Sequence, residues 1–249
     1  MFANLEDVYA INNYKKLFMS NAERFIEIYN QVDKLLKDIE KDEYQSFTSK
    51  IRGSKNPLII AFREKLIDYA ELRNAITHNS KIGGKFIAEP LDEIVKDFGN
   101  LLNKLQSPKK IIPLFQFEVV GRNKNDKLDG ILKVMKEMSF SQFPVYDDNN
   151  RVIEIINTNT ISRWIGRNIV NNEIIVENPK IQELLDDIEF KNNYRFIARN
   201  TDIYTAHSMF INQIEQKNRN LDAIFITNSG RQDEKLLGLI TIEDIASQI

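Results

Sequence analysis

Three polar residues, Arg73, Asn74 and His78, stand close together in a stretch whose apolar residues recur at helical spacing. Arg73 occupies a position that the helical period assigns to an apolar side chain, and a guanidinium there needs a partner or an interface. Asn74 and His78 are four residues apart, so imidazole, amide and guanidinium can meet at the end of the helix. Such a group suits a phosphate. The apolar line consists of Phe62, Leu66, Tyr69 and Ile76.

The same residues also fit a purely structural role. An arginine and a histidine near a helix end commonly cap the last carbonyl groups or join a salt bridge, and the helix dipole favours a cation such as His78 there. The local charge favours a phosphate, because residues 50 to 85 carry eight basic side chains against three acidic ones. Both interpretations stay open on these residues alone.

A second set, Thr241 and Asp244, lies near the end of the chain. Thr241 stands where an apolar strand pattern gives way to a helix, so its hydroxyl and the free backbone N–H groups of the first turn can hold an anion. Asp244 lies one turn further on, where a carboxylate can accept both hydroxyls of a ribose. Thr-x-x-Asp is also an ordinary helix cap that needs no ligand.

The first set belongs to a series of predicted helices. Ser20-Asn21-Ala22-Glu23 is a capping box that opens a helix with one apolar face. Asn56-Pro57 starts a second long helix that runs to about His78, before the Gly83-Gly84 break. Pro90 starts a third helix with an almost continuous apolar stripe. Residues 1 to about 106 are therefore predicted to be all helical.

The second set belongs to a repeated α/β pattern. The linker Ser107-Pro108-Lys109-Lys110 is polar, and after Pro113 short β-branched runs alternate with short helices. Each copy of the repeat has a helix, a strand, a turn, a strand and a further helix. The first copy contains Leu128 to Met138, Phe143-Pro144-Val145-Tyr146, Val152 to Ile156 and a helix around Ser162. The second contains Ile203 to about Gln216, Ala223 to Thr227, Leu236 to Ile240 and a helix from about Ile242.

This repeat resembles the tandem CBS domain pair over residues 107–249, with the first repeat at about 111–170 and the second at about 190–249. CBS units end in a strand that reads Gly, apolar, apolar, Thr or Ser, two residues, Asp. The segment from Gly238 to Ile245 fits that pattern at every position. The first copy departs from it, since Glu154 stands for Gly, Asn157 for Thr and Thr160 for Asp.

The CBS resemblance implies an adenosine-type regulatory ligand in the cleft between the repeats. AMP, ADP, ATP or a related adenosine ligand would be bound with Thr241 and Asp244 on the ribose. Asn200, Thr201 and Ala223 would be nearby cleft positions. The first repeat lacks the carboxylate that holds a ribose diol, so one good site per chain is expected.

The segment from Tyr69 to Asn79 resembles the motif of HEPN domains, which reads Arg, polar residue, three residues, His. The likeness covers about residues 20 to 106, and the stretch from Asn79 to Pro90 also has the look of that family. It implies a metal-independent ribonuclease in which His78 is general acid or base, Arg73 stabilises charge on the phosphoryl group, and Asn74 orients the substrate or the histidine. Domains of this family commonly dimerise with the motif facing across the interface.

The composition excludes other classes. The chain has 34 lysine and arginine residues against 36 aspartate and glutamate residues, which gives a net charge of -2. A nucleic-acid site must therefore be a local basic patch. The chain has no cysteine, which excludes thiolate nucleophiles and cysteine metal ligands. It has two histidines, which nearly excludes a multi-histidine metal centre, so no bound metal is expected. Met1 to Ala10 lacks a signal-peptide pattern, and no apolar stretch reaches the ~20 residues of a membrane span. We therefore expect a cytoplasmic protein with no membrane partner.

The expected fold class is α + α/β, a HEPN-like helical bundle over residues 1–106 followed by a two-repeat CBS module. Two functional hypotheses follow. The first is a ribonuclease of toxin or stress-defence type, acting on RNA and tuned by an adenine nucleotide. The second is a non-catalytic adenine-nucleotide sensor whose bundle serves dimerisation or partner docking. Both families commonly self-associate, so a homodimer is expected in either case.

Overall fold

The computed structural model describes residues 19–78, 86, 88–170, 173–174 and 178–249. The chain divides into a helical unit, Met1–Lys109, and a repeat unit, Lys110–Ile249. Within the described part of the helical unit the elements are α1 (Asn21–Glu40), α2 (Phe47–Gly53), α3 (Pro57–Ala61), α4 (Arg63–His78) and α5 (Asp92–Gln106).

The capping box predicted for the first helix is confirmed. The Ser20 hydroxyl accepts a hydrogen bond from the Glu23 N–H at 3.3 Å, and the Glu23 carboxylate accepts one from the Ser20 N–H at 2.9 Å. The face of α1 that follows packs its apolar side chains inward, with Phe25 against Phe98 of α5 and Tyr69 of α4. The core of the helical unit is therefore built from three helices that meet through aromatic rings.

Two helix boundaries differ from the sequence-based prediction. The helix that starts at Pro57 breaks at Phe62, whose backbone leaves the helical region, and α4 restarts at Arg63. The helix assigned to Pro90 begins at Asp92 with Leu91 as its N-cap, because the Pro90 carbonyl is used to accept a hydrogen bond from the Asn21 amide at 3.1 Å. Leu91 is consequently exposed and does not join the apolar stripe. The segment Met1 to Ala10 and the Gly83-Gly84 break lie outside the described residues.

The repeat unit contains the same element order twice, and the sequence pattern predicted all of these elements except the strand before the first helix of each repeat. The shared order is a short parallel strand, a helix, two antiparallel strands and a helix. In the first repeat these are β1 (Arg122–Asn123), α7 (Leu128–Met138), β2 (Gln142–Tyr146), β3 (Val152–Asn157) and α8 (Thr158–Arg167), preceded by α6 (Ile111–Leu114). In the second they are β6 (Tyr194–Ala198), α9 (Ile203–Lys217), β7 (Ala223–Thr227), β8 (Gly238–Ile240) and α10 (Ile242–Ala246). Between the repeats lie β4 (Ile169–Val170), β5 (Glu173–Ile174) and a 3₁₀ helix (Ile181–Asp187).

Strand register places the two repeats in correspondence residue by residue. In the first repeat β1 pairs in parallel with β2, and β2 pairs antiparallel with β3. In the second, β6 pairs in parallel with β7, and β7 pairs antiparallel with β8. Glu154 faces Val145 and Gly238 faces Ile226, the fourth residue of β2 and of β7 respectively. Glu154 and Gly238 are therefore structural equivalents.

The segment that leads into each repeat packs against the other one. Lys110 pairs with Asp202, and the Ile111 N–H donates to the Thr201 carbonyl at 3.0 Å, so residues 110–117 lie on the second repeat. Lys180 pairs with Lys127, and the Ile181 N–H donates to the Asp126 carbonyl at 3.0 Å. Each leading segment therefore packs on the repeat that it does not precede.

Among the described residues, none of the helices combines the length and the apolar character that crossing a membrane requires.

Candidate functional site

Thr241 and Asp244 form the cap of α10. The Asp244 carboxylate accepts hydrogen bonds from the Thr241 N–H at 2.9 Å and the Thr241 hydroxyl at 2.8 Å. In return the Thr241 hydroxyl accepts from the Asp244 N–H at 3.3 Å. The structure therefore joins the two residues in a capping box, and the exposed Asp244 carboxylate keeps an oxygen that these bonds do not use.

This cap lines a cavity of about 510 Å³ between the two repeats. We call it the inter-repeat cavity. Its wall alternates polar and apolar groups, with Ser139 to Gln142 at the start of β2 on one side and Leu239 to Asp244 on the other. Phe117, Val119, Phe140, Pro144 and Leu221 supply apolar surface of the kind that an aromatic base packs against. The volume is within the usual range for a small-molecule site.

The inter-repeat cavity carries negative charge. Asp222, Glu243 and Asp244 all line it, and no lysine or arginine appears among its described lining residues. Burial raises the pKa of the Asp222 carboxyl, while hydrogen bonds from Asn193 and Asn157 and the Arg219 charge oppose the rise. A polyanionic ligand would meet repulsion in such a wall, whereas a neutral or cationic ligand would not.

The equivalent position in the first repeat has a different cap. The Asn157 amide oxygen accepts from the Thr160 N–H at 3.0 Å and from the Thr160 hydroxyl at 3.1 Å. The Asn157 amide also donates to Asp222 at 3.3 Å, so both ends of that side chain are engaged. These residues line a cavity of about 140 Å³, which we call the first-repeat cavity. It is smaller than the inter-repeat cavity and its cap contributes no carboxylate.

Glu154 is a further difference between the two repeats. The carboxylate is buried, and the Asn192 N–H donates one bifurcated hydrogen bond to its two oxygens, at 3.0 and 3.2 Å. Burial raises the pKa of the Glu154 carboxyl, and the Asn192 N–H works against the rise. The equivalent Gly238 has no room for a side chain, because a Cβ there would overlap the Phe115 carbonyl oxygen.

The other residues predicted for the nucleotide cleft are spread apart. Asn200 lines a separate cavity of about 600 Å³ beyond the end of β6, away from Asp244. Thr201 contributes its carbonyl to the leading segment through the bond from Ile111. Ala223 is fully buried in β7, and its neighbours Leu221 and Asp222 line the inter-repeat cavity instead. Of the five predicted residues, the structure brings Thr241 and Asp244 together.

The helical unit brings Arg73 and Asn74 together. The Arg73 Nη1 donates to the Asn74 amide oxygen at 3.3 Å, and the guanidinium lies over the Tyr29 ring at 5.3 Å from its centroid. The helical period placed Arg73 on the apolar line with Ile76. Ile76 is fully buried, but Arg73 is half-buried. Its side chain leans across α1 instead of entering the core, which satisfies the charge with an aromatic face. Its Nε is nevertheless buried without a hydrogen-bond partner.

Tyr29 is itself held in place, since it stacks on Phe47 with ring centroids 4.3 Å apart. Burial raises the pKa of the Tyr29 hydroxyl, and the Arg73 charge opposes that rise. His78 is the last residue of α4, and its side chain lies outside the described residues. The described geometry therefore supports an ordered Arg73 beside Asn74.

With this geometry in place, residues 123–167 match the family model described as "CBS domain". The chain contains a CBS domain. The match falls on the first repeat, from the end of β1 to the end of α8, and that CBS domain supplies Ser139 to Gln142 to the inter-repeat cavity. No curated protein matches the chain.

Several solved structures resemble the part of the chain that includes this CBS domain. One is the CBS domain pair of protein MJ0100 in complex with 5′-methylthioadenosine and S-adenosyl-L-methionine, with 12% identity and a TM-score of 0.41 over 57% of this chain and 96% of that one. A CBS domain protein from Thermoplasma acidophilum has 15% identity and a TM-score of 0.40 over 57% and 70%. CBSX2 in complex with AMP has 12% identity and a TM-score of 0.39 over 56% and 95%.

Sequence reasoning missed the other wall of the inter-repeat cavity. Ser139 and Asp222 lie in the loops before the central strands β2 and β7, Gln142 is the first residue of β2, and none of the three belongs to a motif. The Gln142 amide donates to the Asp222 carbonyl at 2.7 Å, which ties the two loops together. The signal that could have found them is their shared position, at the start of the same strand in each repeat.

Proposed function

We propose that the chain is a sensor of adenosine ligands, with its ligand in the inter-repeat cavity. The observation that carries this proposal is the pairing of Thr241 with Asp244 at the edge of a 510 Å³ cavity that also offers apolar surface. A carboxylate at a helix start can accept the hydroxyls of a ribose, and the apolar wall suits an adenine ring. The CBS domain that lines the cavity supports the same assignment.

The charge of the cavity narrows the ligand. Three carboxylates line it and none of its described lining residues is a cation, so a triphosphate would be disfavoured. Within the expected set of AMP, ADP, ATP and related adenosine ligands, we favour a nucleoside with a neutral or cationic 5′ substituent. S-adenosylmethionine and adenosine represent that chemistry.

The experiment is calorimetric titration of the full chain with S-adenosylmethionine, adenosine, AMP and ATP at constant ionic strength. We expect saturable binding of about one molecule per chain by the first two and weaker binding with each added phosphate. Tightest binding by ATP would overturn the charge argument. No heat and no thermal shift with any of the four would overturn the sensor.

A second function, for the helical unit, is a metal-independent ribonuclease, with the CBS module tuning it in a toxin or stress-defence role. Arg73 favours it, because none of the ion pairs among the described residues includes this side chain and its Nε has no partner. An ordered guanidinium that forms no ion pair can stabilise charge on a phosphoryl group. His78 would be the acid or base, and Asn74 would orient the substrate or the histidine. The alternative is a bundle that only dimerises or docks a partner.

The test is incubation of the purified protein with mixed RNA in the presence of a chelator. We expect cleavage by the wild type, loss of cleavage in Arg73→Ala and His78→Ala, and no loss in Lys34→Ala, which removes an exposed cation from α1. Size-exclusion chromatography and thermal unfolding of each variant report the expected homodimer and fold. Equal cleavage in all four proteins would contradict the assignment, and no cleavage in the wild type would favour the docking alternative.

A further inference from the structure

The second repeat has a further cavity at the carboxyl ends of its two parallel strands. This cavity of about 600 Å³ is the one that contains Asn200, and we call it the edge cavity. Crevices beyond the carboxyl ends of parallel strands are common ligand sites, because the loops that follow neighbouring strands meet there. The polar residues that line the edge cavity are Lys110, Arg199, Asn200, Asn228 and Ser229.

The corresponding loops of the first repeat have a different arrangement of charge. Tyr146 and Thr227 are the last residues of β2 and β7, so Asp148 corresponds to Ser229. Asn123 and Ala198 end β1 and β6, so Lys124 corresponds to Arg199. In the first repeat the Lys124 Nζ pairs with Asp148 at 2.9 Å, and the Asn125 amide donates to the same carboxylate at 2.8 Å. The charge of Lys124 is therefore neutralised by a carboxylate of the same repeat, Asp148.

The second repeat keeps the cation and lacks the carboxylates. Asn228 stands where the first repeat has Asp147, and Ser229 stands where it has Asp148. Neither Arg199 nor Lys110 takes part in any of the ion pairs that the described residues form, and no carboxylate is among the described lining residues. Two positive charges and the side-chain amides of Asn200 and Asn228 thus line one cavity whose described lining contains no carboxylate.

The nearest carboxylates are already used. Glu234 accepts from the Ser229 N–H and the Ser229 hydroxyl, both at 2.7 Å, and pairs with Arg231 at 3.3 Å. The hydrogen bonds from Ser229, backbone first, lower the pKa of the Glu234 carboxyl to about 2. Asp202 caps α9 through the Thr205 N–H and hydroxyl. These acids stabilise the loops around the edge cavity while their charge is partly compensated.

The walls of the edge cavity are preformed. Ala198 bridges to Ser229, and the Gly230 N–H donates to the Thr227 hydroxyl at 2.9 Å. Gly230 has a φ of +89°, a conformation that favours glycine and turns the chain back toward Ala198. The bridge to Asp202 holds the Lys110 backbone. The backbone around the edge cavity is therefore ordered before a ligand arrives, which lowers the cost of association.

We propose that the edge cavity binds a phosphoryl group, held by Arg199 and Lys110 with amide donors from Asn200 and Asn228. A guanidinium and an ammonium that line one cavity match the charge of a phosphate, and the two amides match its remaining oxygens. The group can be free phosphate or the end of a small phosphomonoester. This site is separate from the acidic inter-repeat cavity and does not rest on the function proposed for it.

The test follows backbone amide resonances of the full ¹⁵N-labelled chain while inorganic phosphate replaces chloride at constant ionic strength. We expect saturable shifts at Ser229, Asn228 and Asn200, with little change at Asp148. Ser229→Asp recreates the acid of the first repeat, and Arg199→Gln removes the guanidinium. Both should weaken phosphate binding at least tenfold. Lys136→Gln, an exposed cation on α7, is the matched control and should bind as the wild type does.

A parallel titration with ribose 5-phosphate distinguishes the two sources of the phosphoryl group. Tighter binding than free phosphate at the same resonances identifies a phosphomonoester, and equal or weaker binding identifies the free ion. Non-saturating shifts, or the same affinity in Arg199→Gln and Ser229→Asp as in the wild type, would overturn the site. Amide spectra of both variants show whether the fold is retained, and because the two changes act by different means, one folded variant is enough for the decision.

Discussion

The two repeats share an element order and a strand register, yet their helix caps differ in charge. In the second repeat Thr241 and Asp244 combine a hydroxyl with a carboxylate, and the cavity beside them measures about 510 Å³. In the first, Asn157 and Thr160 combine an amide with a hydroxyl beside about 140 Å³. Both pairs satisfy the free N–H groups of a helix start equally well. The cap chemistry is thus free to vary without loss of the fold, and the proposed function attributes the difference in ligand capacity between the repeats to these caps.

The same separation of fold and site holds at the preceding strand. Glu154 and Gly238 are equivalent, but one fills its space with a buried carboxylate and the other leaves room for a carbonyl. Four substitutions sharpen or break the comparison between the repeats, and they follow in order of expected effect.

The largest effect is expected from Gly238→Ala. The new Cβ would overlap the Phe115 carbonyl, and backbone cannot move aside as a flexible side chain does. The free energy of unfolding should fall by about 1–3 kcal/mol, measured by urea denaturation. Gly130→Ala on α7 is the control, since a Cβ there meets nothing within 4 Å and should not destabilise the protein. Equal effects at both glycines would mean that the close approach at Gly238 is not a constraint.

Asp244→Asn should come second, with a loss of about 1–3 kcal/mol in affinity for the adenosine ligand, because a charged hydrogen-bond acceptor is removed. The asparagine oxygen can still accept from the Thr241 N–H, so stability should change by no more than about 1 kcal/mol. Calorimetric titration measures the first quantity and thermal unfolding the second. Wild-type affinity in Asp244→Asn would move the ligand out of this cavity.

Glu154→Gln tests the buried carboxylate through its pH dependence. Burial raises the folded-state pKa of Glu154 above its unfolded value, so its contribution to stability is complete below the unfolded pKa and is lost as pH rises through the folded one. The glutamine has no such dependence. The free energy of unfolding of the variant minus that of the wild type should therefore increase as pH rises from the unfolded-state pKa through the folded-state pKa of Glu154. A constant or falling difference in urea denaturation would contradict the assigned direction.

Thr160→Ala should have the smallest effect. The Thr160 hydroxyl donates to Asn157, and its loss should reduce the free energy of unfolding by about 0.5–1.5 kcal/mol. Ligand affinity should not change, because the first-repeat cap offers no carboxylate to a ribose. A parallel titration with Asp244→Asn checks this pair. A loss of affinity in Thr160→Ala as large as in Asp244→Asn would mean that the repeats contribute equally.

Local signals in the sequence predicted the elements well and the sites only in part. The Ser20 capping box and the Thr241 and Asp244 cap each depend on residues three apart, and the structure has both. The strand β6 was missed, because Tyr194–Ala198 lacks a clean alternation of apolar and polar residues, although the turn residues Asn192 and Asn193 precede it. Asn200 was assigned to the cleft, but it lies beyond the carboxyl end of β6, and the loop that lines the inter-repeat cavity lies before the start of β7. Which end of a strand a loop occupies is a tertiary property.

The position of Arg73 shows the same limit. The helical period placed it on the apolar line, but a side chain as long as arginine can lean to a neighbouring helix, and the Tyr29 face that receives it is 44 positions away in the chain. The walls of the inter-repeat cavity depend likewise on loops from both repeats, Ser139 to Gln142 and Asn220 to Asp222. Periodicity reports one helix or strand at a time and contains no information on such pairings.

The exchange of leading segments means that the unit that recurs in the sequence is not the unit that packs. Residues 110–117 precede the first repeat, yet Phe117 donates its N–H to Leu237 at 3.2 Å and the Phe115 carbonyl covers Gly238, both in the second. A polypeptide that ends after α8 would lose the partner of its first segment and leave Ile111 and Phe115, which the intact chain buries, in water. Removing the second repeat therefore exposes apolar surface of the segment that leads into the first repeat.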